Sequence, residues 1–533
     1  MECSRLKENM QINSIIIVGG GSAGWMTATS LIKHVPEIDV TLIESPNVPT
    51  VGVGESTNLY INQYLQSIGL DDEDWMAHCD ATYKGSIKFT DFYKKGELFH
   101  YPFGTQEFSA AGYGTDTWFL KKWIYPDTPQ TDFCESYWPN MQMINKNKIH
   151  SNETDIIPFF NISRDFAYQF DATKLGNWLK TNHCTKVNSI LDHVTDVDLD
   201  DRGWISSLST KNHGKLEADL YIDCTGFSSV LLEKSLGVPH SSHEDILINN
   251  GAWVTRIPYV DPNVEMELVT NCTGIDNGWV WNVPLFSRIG KGYVYSDKFI
   301  DKEIALKEFK EHLKISNPWC KDNDIEELEY RHIDSKNGVH KKAWYKNCIA
   351  IGLSYGFMEP LESTGLGVVN EEINKLISSL LTRDRYINQF DRDCVNREMQ
   401  IYVDRIKYFV AFHFFGTVRD DTEYWRWYSQ ELEMGEYTDE TNNISSMRFV
   451  HASSTALDDG TVCVVAGHHI NLYSDFSRKQ IDFQHPERGK EVWKKNIEEI
   501  ISYWKERNKK ISLLADKSPT HYEYLKDKIY NQI

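Results

Sequence analysis

Three glycines and one acid carry the first chemistry in this sequence. Gly19, Gly21 and Gly24 form a G-x-G-x-x-G loop between an apolar β-branched run and a stretch that reads as a helix. Glu44 follows about 20 residues after Gly24, at the end of the next predicted strand. Glycine here permits a tight turn and lets a pyrophosphate approach the amides of Ser22 and Ala23 at a helix N-terminus, while the acid can accept from ribose hydroxyls. The pattern predicts a bound adenine dinucleotide, NAD or FAD; the plainer alternative is a glycine-rich turn without a ligand. A second glycine-rich stretch, residues 51–57 (VGVGEST), offers Gly54, Glu55 and Ser56 to the flavin end of such a ligand. No second dinucleotide fingerprint for NAD(P)H is present, so reduced flavin has to come from elsewhere. Three further segments hold unusual combinations: residues 82–85 (TYKG), 278–284 (GWVWNVP) and 359–365 (EPLESTG). His468 and His469 are adjacent but lack a ligand set, so they read as surface or loop residues and no metal site is expected.

These groups need elements to position them. Residues 14–18 (SIIIV) read as a buried strand, 25–34 as a helix and 39–43 as a second strand, which together open a βαβ unit. Residues 57–69 read as helical, and 85–165 as short strands and loops rich in aromatics. An apolar run at 218–226 ends in a glycine, and residues 250–298 are strand-like. A late strand and turn, 348–357, can return to the first sheet and bring Gly352 to the cofactor; that return and the extreme N-terminal fingerprint favour FAD over NAD. Residues 368–381 read as a helix, and the chain beyond about 385 is mainly helical. Near the end, Trp493, Ile497, Ile500, Ile501 and Trp504 share one helical face over 488–507, which predicts packing on the body of the protein.

Composition narrows the partners. The 533 residues are 41% hydrophobic and 25% charged, ordinary for a globular protein with a large core. The formal net charge of −21 is poorly suited to a phosphate backbone or an anionic membrane, so neither nucleic acid nor membrane is expected. The ten cysteines include no C-x-x-C pair, no apolar run is long enough to span a bilayer, and the N-terminus lacks a signal-like apolar segment. The expected location is the cytoplasm. An aromatic content of 13%, with 16 Trp and 27 Tyr, mostly fills core but leaves rings for a flat ligand.

The motifs together resemble the flavin-dependent halogenases, in particular the tryptophan-halogenase family. That family's W-x-W-x-I-P stands here as WVWNVP, with Val283 in the Ile place, and its P-L-E-S-T is intact at residues 360–364. The glycine loop, LYIDCTGF at 220–227 and FHFFGTVRDDTEYW at 412–425 are similar as well, so the resemblance spans residues 14–430. It implies an α/β fold: a GR2-like FAD-binding dinucleotide domain with a mixed sheet, interleaved with a substrate-binding part, and a mainly helical C-terminal region. The expected division is 1–385, with insertions near 85–165 and 250–345, followed by 386–533.

The resemblance also implies chemistry. FAD, as FADH2, with O2 and a halide ion (chloride, bromide or iodide) gives a hypohalous acid equivalent that halogenates an electron-rich aromatic such as an indole or phenol. Lys84 matches the essential lysine that holds this oxidant by hydrogen bonding or as a haloamine. Glu362 matches the catalytic glutamate that stabilises the charged ring and takes its proton; Glu359 is the lesser candidate. Thr364 and Gly365 match the residues whose amides hold halide, and Trp279 and Trp281 the pair that keeps organic substrate off the flavin. In tryptophan-accepting members a His-Pro-Phe segment stacks on the substrate; here Tyr101, Pro102 and Phe103 stand in that place, and the two rings are expected to sandwich an aromatic. Residues 430–480 do not reproduce the segment that grips the free amino acid. A separate NAD(P)H-dependent flavin reductase is the implied partner, and the terminal helix offers a surface for a homo-oligomer. The competing readings are a flavin monooxygenase that hydroxylates its substrate and a flavin-binding module without turnover.

Overall fold

The computed structural model describes residues 10–47, 54–107, 116–150, 156–157, 160–434, 459–470 and 489–532. The chain forms two compact units, each built from three stretches. The first comprises Met1–Ala81, Gln169–Asn250 and Asp334–Lys407; the second comprises Thr82–Tyr168, Gly251–Ile333 and Tyr408–Ile533.

The first unit is organised by a six-stranded sheet. Its order is Trp344–Tyr345, Cys348–Ala350, Leu220–Asp223, Ser14–Val18, Asp39–Glu44, Asn188–Leu191. All neighbours are parallel except the antiparallel edge pair Trp344–Tyr345 and Cys348–Ala350, so the sheet is mixed. Central parallel strands are covered on both faces, which is why Ser14–Val18 and Leu220–Asp223 are continuous apolar runs instead of alternating ones. The late strand Cys348–Ala350 joins this sheet beside Leu220–Asp223, as expected of a strand returning to the nucleotide fold. Helix Ser22–His34 follows the first strand directly. Lys33 and His34 in its last turn complement the helix dipole, and the chain leaves the helix at Val35, ahead of Pro36. Helices Ala172–Asn182 and Gly365–Thr382 pack against it.

The second unit is built on a seven-stranded sheet in which Gly278–Pro284 lies between Val269–Ile275 and Ile289–Tyr295, antiparallel to both. Strand alternation sends Val280 to the face where Ile289, Tyr293, Phe309 and Leu313 form a core. Trp279 and Trp281, being odd-numbered, project from the opposite face.

Residues 85–165 hold more helix than their sequence predicts: Asp116–Ile124, Thr131–Tyr137 and Met141–Asn145 are all helical. Each is too short to display a 3.6-residue period, and their aromatics are core residues on several sides, so no amphipathic stripe is visible. Helix Gly489–Ala515 buries Ile497, Ile500 and Trp504, with Trp504 packed edge-to-face on Tyr137 at 5.5 Å. The Trp493 side chain lies outside the described residues. Among the described residues no helix is long and apolar enough to cross a membrane.

Candidate active site

The first unit holds the glycine loop at the C-terminal end of its central strand. Gly21 caps helix Ser22–His34 with no side-chain hydrogen bond, and no acid stands in the first turn, so the helix N-terminus keeps its amides for an outside acceptor. The approach is close on every side. A β-carbon at Gly19 would sit 2.5 Å from the Cys224 carbonyl carbon, and one at Gly20 would sit 2.6 Å from Glu44 Cδ. The Glu44 carboxylate takes the Trp25 indole N–H at 3.2 Å and an ion pair with Lys180 at 3.3 Å, which holds it beside the loop. Gly352, at φ +78°, brings the late turn against Ala23: its β-carbon would lie 3.0 Å from that of Ala23. The Gly352 N–H donates to the buried Glu372 carboxyl at 2.6 Å, and burial pushes that carboxyl well above the usual carboxylate range. A cradle that any side chain would fill, ending on the first-turn amides of a helix, fits a dinucleotide such as FAD.

Gly54, at φ +121°, leads into strand Glu55–Ser56, which pairs with Phe170 and Gln169. Burial, reinforced by the charge of Asp171, pushes Glu55 up to about 7. Residues 51–53 of the same glycine-rich stretch lie outside the described residues. Ser56 Oγ meets Ser363 Oγ at 3.0 Å, so this strand is tied to the EPLESTG turn. In that turn Glu359 is buried and accepts from Asn249 Nδ2 at 2.7 Å, while Glu362 is 2% exposed. Ser363 takes a left-handed conformation, φ +55°, and turns the chain into helix Gly365–Thr382. Thr364 caps that helix without a side-chain hydrogen bond, and the space where a Gly365 side chain would lie is open. Amides at such a turn form a nest for a small anion.

The second unit holds Lys84. Strand Thr82–Lys84 is buried throughout, and Lys84 itself is 0% exposed. Gly85 explains how the chain fits: its N–H donates to Leu268, its carbonyl accepts from Phe103, and a β-carbon there would press on Ile144 at 2.9 Å. Lys84 Nζ lies 5.1 Å from the centre of the Phe103 ring. Pro102 ends the strand that carries Tyr101. Tyr101 and Phe103 pack on one another edge-to-face at 5.4 Å, so they present a single aromatic wall and not the two parallel plates of a sandwich. Trp279 and Trp281 are 6.0 Å apart between ring centres; Trp279 is 1% exposed and Trp281 half-buried. Lys84 and Glu362 thus belong to different units.

A model of the tryptophan halogenase family matches residues 14–497. The chain belongs to the tryptophan halogenase family. Its relatives include the tryptophan 6-halogenase SttH of Streptomyces toxytricini, 34% identical over 78% of this chain and 80% of that protein. The tryptophan 7-halogenase RebH of Lentzea aerocolonigenes is 31% identical over 78% of each chain. Among solved structures, the apo structure of VirX1 superposes with a TM-score of 0.89 at 36% identity, covering 98% of this chain and all of that one. This protein is therefore a flavin-dependent halogenase, an enzyme that uses FAD and halide to halogenate an aromatic.

Several groups around the halogenase's candidate site escape a reading of the sequence. Lys180 and Asn249 carry no local signal, because their partners lie far away in the chain. Glu372 does carry one: it falls on the buried face of its helix with Val369, Ile373 and Leu376, and an acid inside an apolar stripe calls for a partner. His468 and His469 lie in the turn after helix Asp459–Gly467, where a loop reading puts them, but His468 is not at the surface: it is 2% exposed, held by burial at a pKa of about 3 beside His413, while His469 pairs with Glu97 at 2.9 Å. The apolar helix Asp459–Gly467 draws His468 inward as it packs on strand Leu98–Pro102. Of residues 430–480, only 430–434 and 459–470 are described. Among the described residues no cluster of His, Cys, Asp and Glu could hold a metal ion.

Proposed function

We propose that this halogenase receives FAD as FADH2 from a separate NAD(P)H-dependent flavin reductase and installs chlorine, bromine or iodine on an electron-rich aromatic, an indole, phenol or similar ring. In net terms one arene C–H, one halide, one O2, one FADH2 and one proton give the aryl halide, FAD and two waters. Gly19, Gly21, Ser22, Ala23, Gly24, Glu44, Gly54, Glu55, Ser56 and Gly352 hold the flavin, which supplies, with oxygen, the two-electron oxidation of halide. The amides of Thr364 and Gly365 hold the halide for that step.

The oxidised halogen then passes to Lys84. Its side chain donates to the oxygen of hypohalous acid, which weakens the O–X bond; the halogen leaves with positive character for the ring carbon, and the oxygen departs as water with the ring's proton. Glu362 stabilises the positive charge on the ring, takes that proton from the ring carbon and hands it on to the departing oxygen, which leaves as water. Tyr101, Pro102 and Phe103 form the wall on which the arene rests, and Trp279 and Trp281 keep it from the flavin. The observation that carries this reading is a fully buried lysine 5.1 Å from an aromatic ring centre, since an amine out of water is protected from hydration and held where a flat substrate would stack.

The test is a mass-spectrometric screen of indoles, phenols and other arenes with chloride, bromide and iodide, using enzymatically reduced FAD. Products whose mass follows the halide supplied support the proposal. A product heavier by one oxygen, formed equally without halide, would replace it with a hydroxylating monooxygenase.

A further inference from the structure

We infer that Gly292 is the positioning residue for Trp281, and that without it the indole leaves the place from which it screens the substrate. The inference rests on the reading that the tryptophan pair separates arene from flavin. The geometry comes from strand register. Trp281 has two cross-strand neighbours: Cys272 on one side and Gly292 on the other. Cys272 has a side chain and is buried, whereas Gly292 leaves a bare patch of strand. The indole folds over that patch. A β-carbon at Gly292 would lie 2.5 Å from Trp281 Cε2 and closer still to Cζ2 and Cη2, all atoms of the six-membered ring. Backbone strain does not ask for glycine here, since Gly292 is absent from the positive-φ residues of the chain. Space for the indole does, as when an aromatic covers a strand glycine.

The consequence is specific. Along Gly278–Pro284 every residue is buried except Trp281, which is only partly covered. The contact with Gly292 restricts the ring, and Trp279 lies 6.0 Å away between ring centres. A methyl group at 292 cannot be absorbed by a small shift, because the clashing atoms belong to a rigid ring rather than to the end of a flexible chain. The indole must turn about its side-chain bonds, away from Gly292.

The test is a cycle of Gly292→Ala, Trp281→Phe and the double variant, comparing halogenated arene formed per equivalent of reduced flavin oxidised. Hydroxylated arene is measured alongside: there one oxygen atom enters the ring as hydroxyl, the other leaves as water, and reduced flavin supplies both electrons. Gly292→Ala is expected to lower the halogenated yield roughly five- to tenfold in the presence of Trp281. In the Trp281→Phe background, where the ring is smaller, the same change is expected to lower it by less than about twofold, a non-additivity that reports direct contact. Equal losses in both backgrounds overturn the inference. Protein labelled with 5-fluorotryptophan adds a readout free of turnover, with the Trp281 fluorine resonance assigned by its absence in Trp281→Phe. It is expected to shift in Gly292→Ala, and an unmoved resonance also overturns the inference. A shifted resonance with unchanged yield supports placement of the ring by Gly292 and removes the screening role instead. Should Gly292→Ala fail to fold, a folded double variant supports the contact and an unfolded one overturns it.

Discussion

Ser56 Oγ and Ser363 Oγ meet at 3.0 Å, which joins the glycine-rich strand to the turn that carries Glu362. The contact matters because Ser363 adopts φ +55°, a left-handed conformation that costs a non-glycine residue roughly 1–2 kcal/mol. The hydrogen bond offsets part of that cost and fixes the direction of the Thr364 and Gly365 amides. Ser363→Gly should keep the backbone at no steric cost and lose only the hydroxyl, whereas Ser363→Ala loses the hydroxyl and keeps the strain. The expected order of halide KM is therefore wild type, then Ser363→Gly, then Ser363→Ala, the last raised by about tenfold for a loss near 1.4 kcal/mol. Steady-state rates at varied bromide check it, and a KM for Ser363→Gly above that for Ser363→Ala would contradict it.

Lys84 is expected to separate making the oxidant from using it. In Lys84→Ala the halide is still oxidised, because the groups assigned to that step lie in the other unit. Trapping hypohalous acid with a thioether should give near-normal yields, while aryl halide falls by roughly 10² or more. Site-selective product at the wild-type level would remove the lysine from the mechanism.

Glu362→Gln keeps the shape of a side chain that is 2% exposed and removes its ability to accept a proton. We expect kcat to fall by roughly 10²–10³ with FAD affinity unchanged, the magnitude of a lost general base. Glu359→Gln is the informative control. Its Oε1 accepts from Asn249, and a glutamine oxygen can do the same, so this variant should keep most of its activity. A slow Glu359→Gln beside a fast Glu362→Gln would exchange the two roles.

Much of the nucleotide half was legible in the sequence, because its signals are local. A βαβ opening with glycines at fixed spacing and an acid at the end of the second strand needs no knowledge of the rest of the chain. The return of Cys348–Ala350 to the same sheet was also readable, since a short apolar run ending in a glycine turn has few other places to go. What stayed hidden depends on contacts between distant stretches. Asn249 meets Glu359 and Lys180 meets Glu44 only after three separated stretches have folded into one unit. The edge-to-face packing of Tyr101 on Phe103 is likewise a matter of rotamers, and their spacing along the chain suits a sandwich equally well. His468 misleads for a related reason: polarity predicts the surface, but the apolar helix Asp459–Gly467 before it carries the following turn inward.

Glu55 should leave a signature in the pH dependence of stability. Its folded pKa is raised to about 7 by burial and by Asp171, against 4.5 for the free group. Below pH 4.5 the carboxyl is protonated in both states and carries no penalty. Between 4.5 and about 7 the unfolded chain releases the proton while the folded chain keeps it, so stability falls as pH rises, and the fall levels off above 7. The full difference is at most about 3 kcal/mol, and less where solvent reaches the side chain. Glu55→Gln removes this slope. Denaturant unfolding of the flavin-free protein from about pH 5 to 8 should show the variant gaining on the wild type as pH increases; a constant difference would place the raised pKa elsewhere.

Glu372 offers the sharpest contrast between charge and hydrogen bonding. The Gly352 N–H donates to its Oε2 at 2.6 Å, and burial favours the neutral acid. Because burial disfavours the charged form, the service of this carboxyl to the Gly352 turn is expected to be that of an acceptor and not of a charge. Glu372→Gln supplies an acceptor of the same shape and should bind FAD within about twofold of wild type. Glu372→Leu leaves a buried N–H without a partner, a loss of about 1–3 kcal/mol that should loosen the turn against Ala23 and weaken FAD binding roughly tenfold or more. Quenching of flavin fluorescence at about pH 7 measures both. Equal damage from glutamine and leucine would mean that the folded protein uses the ionised form, and that another group, not solvent exclusion, sets the charge at this position.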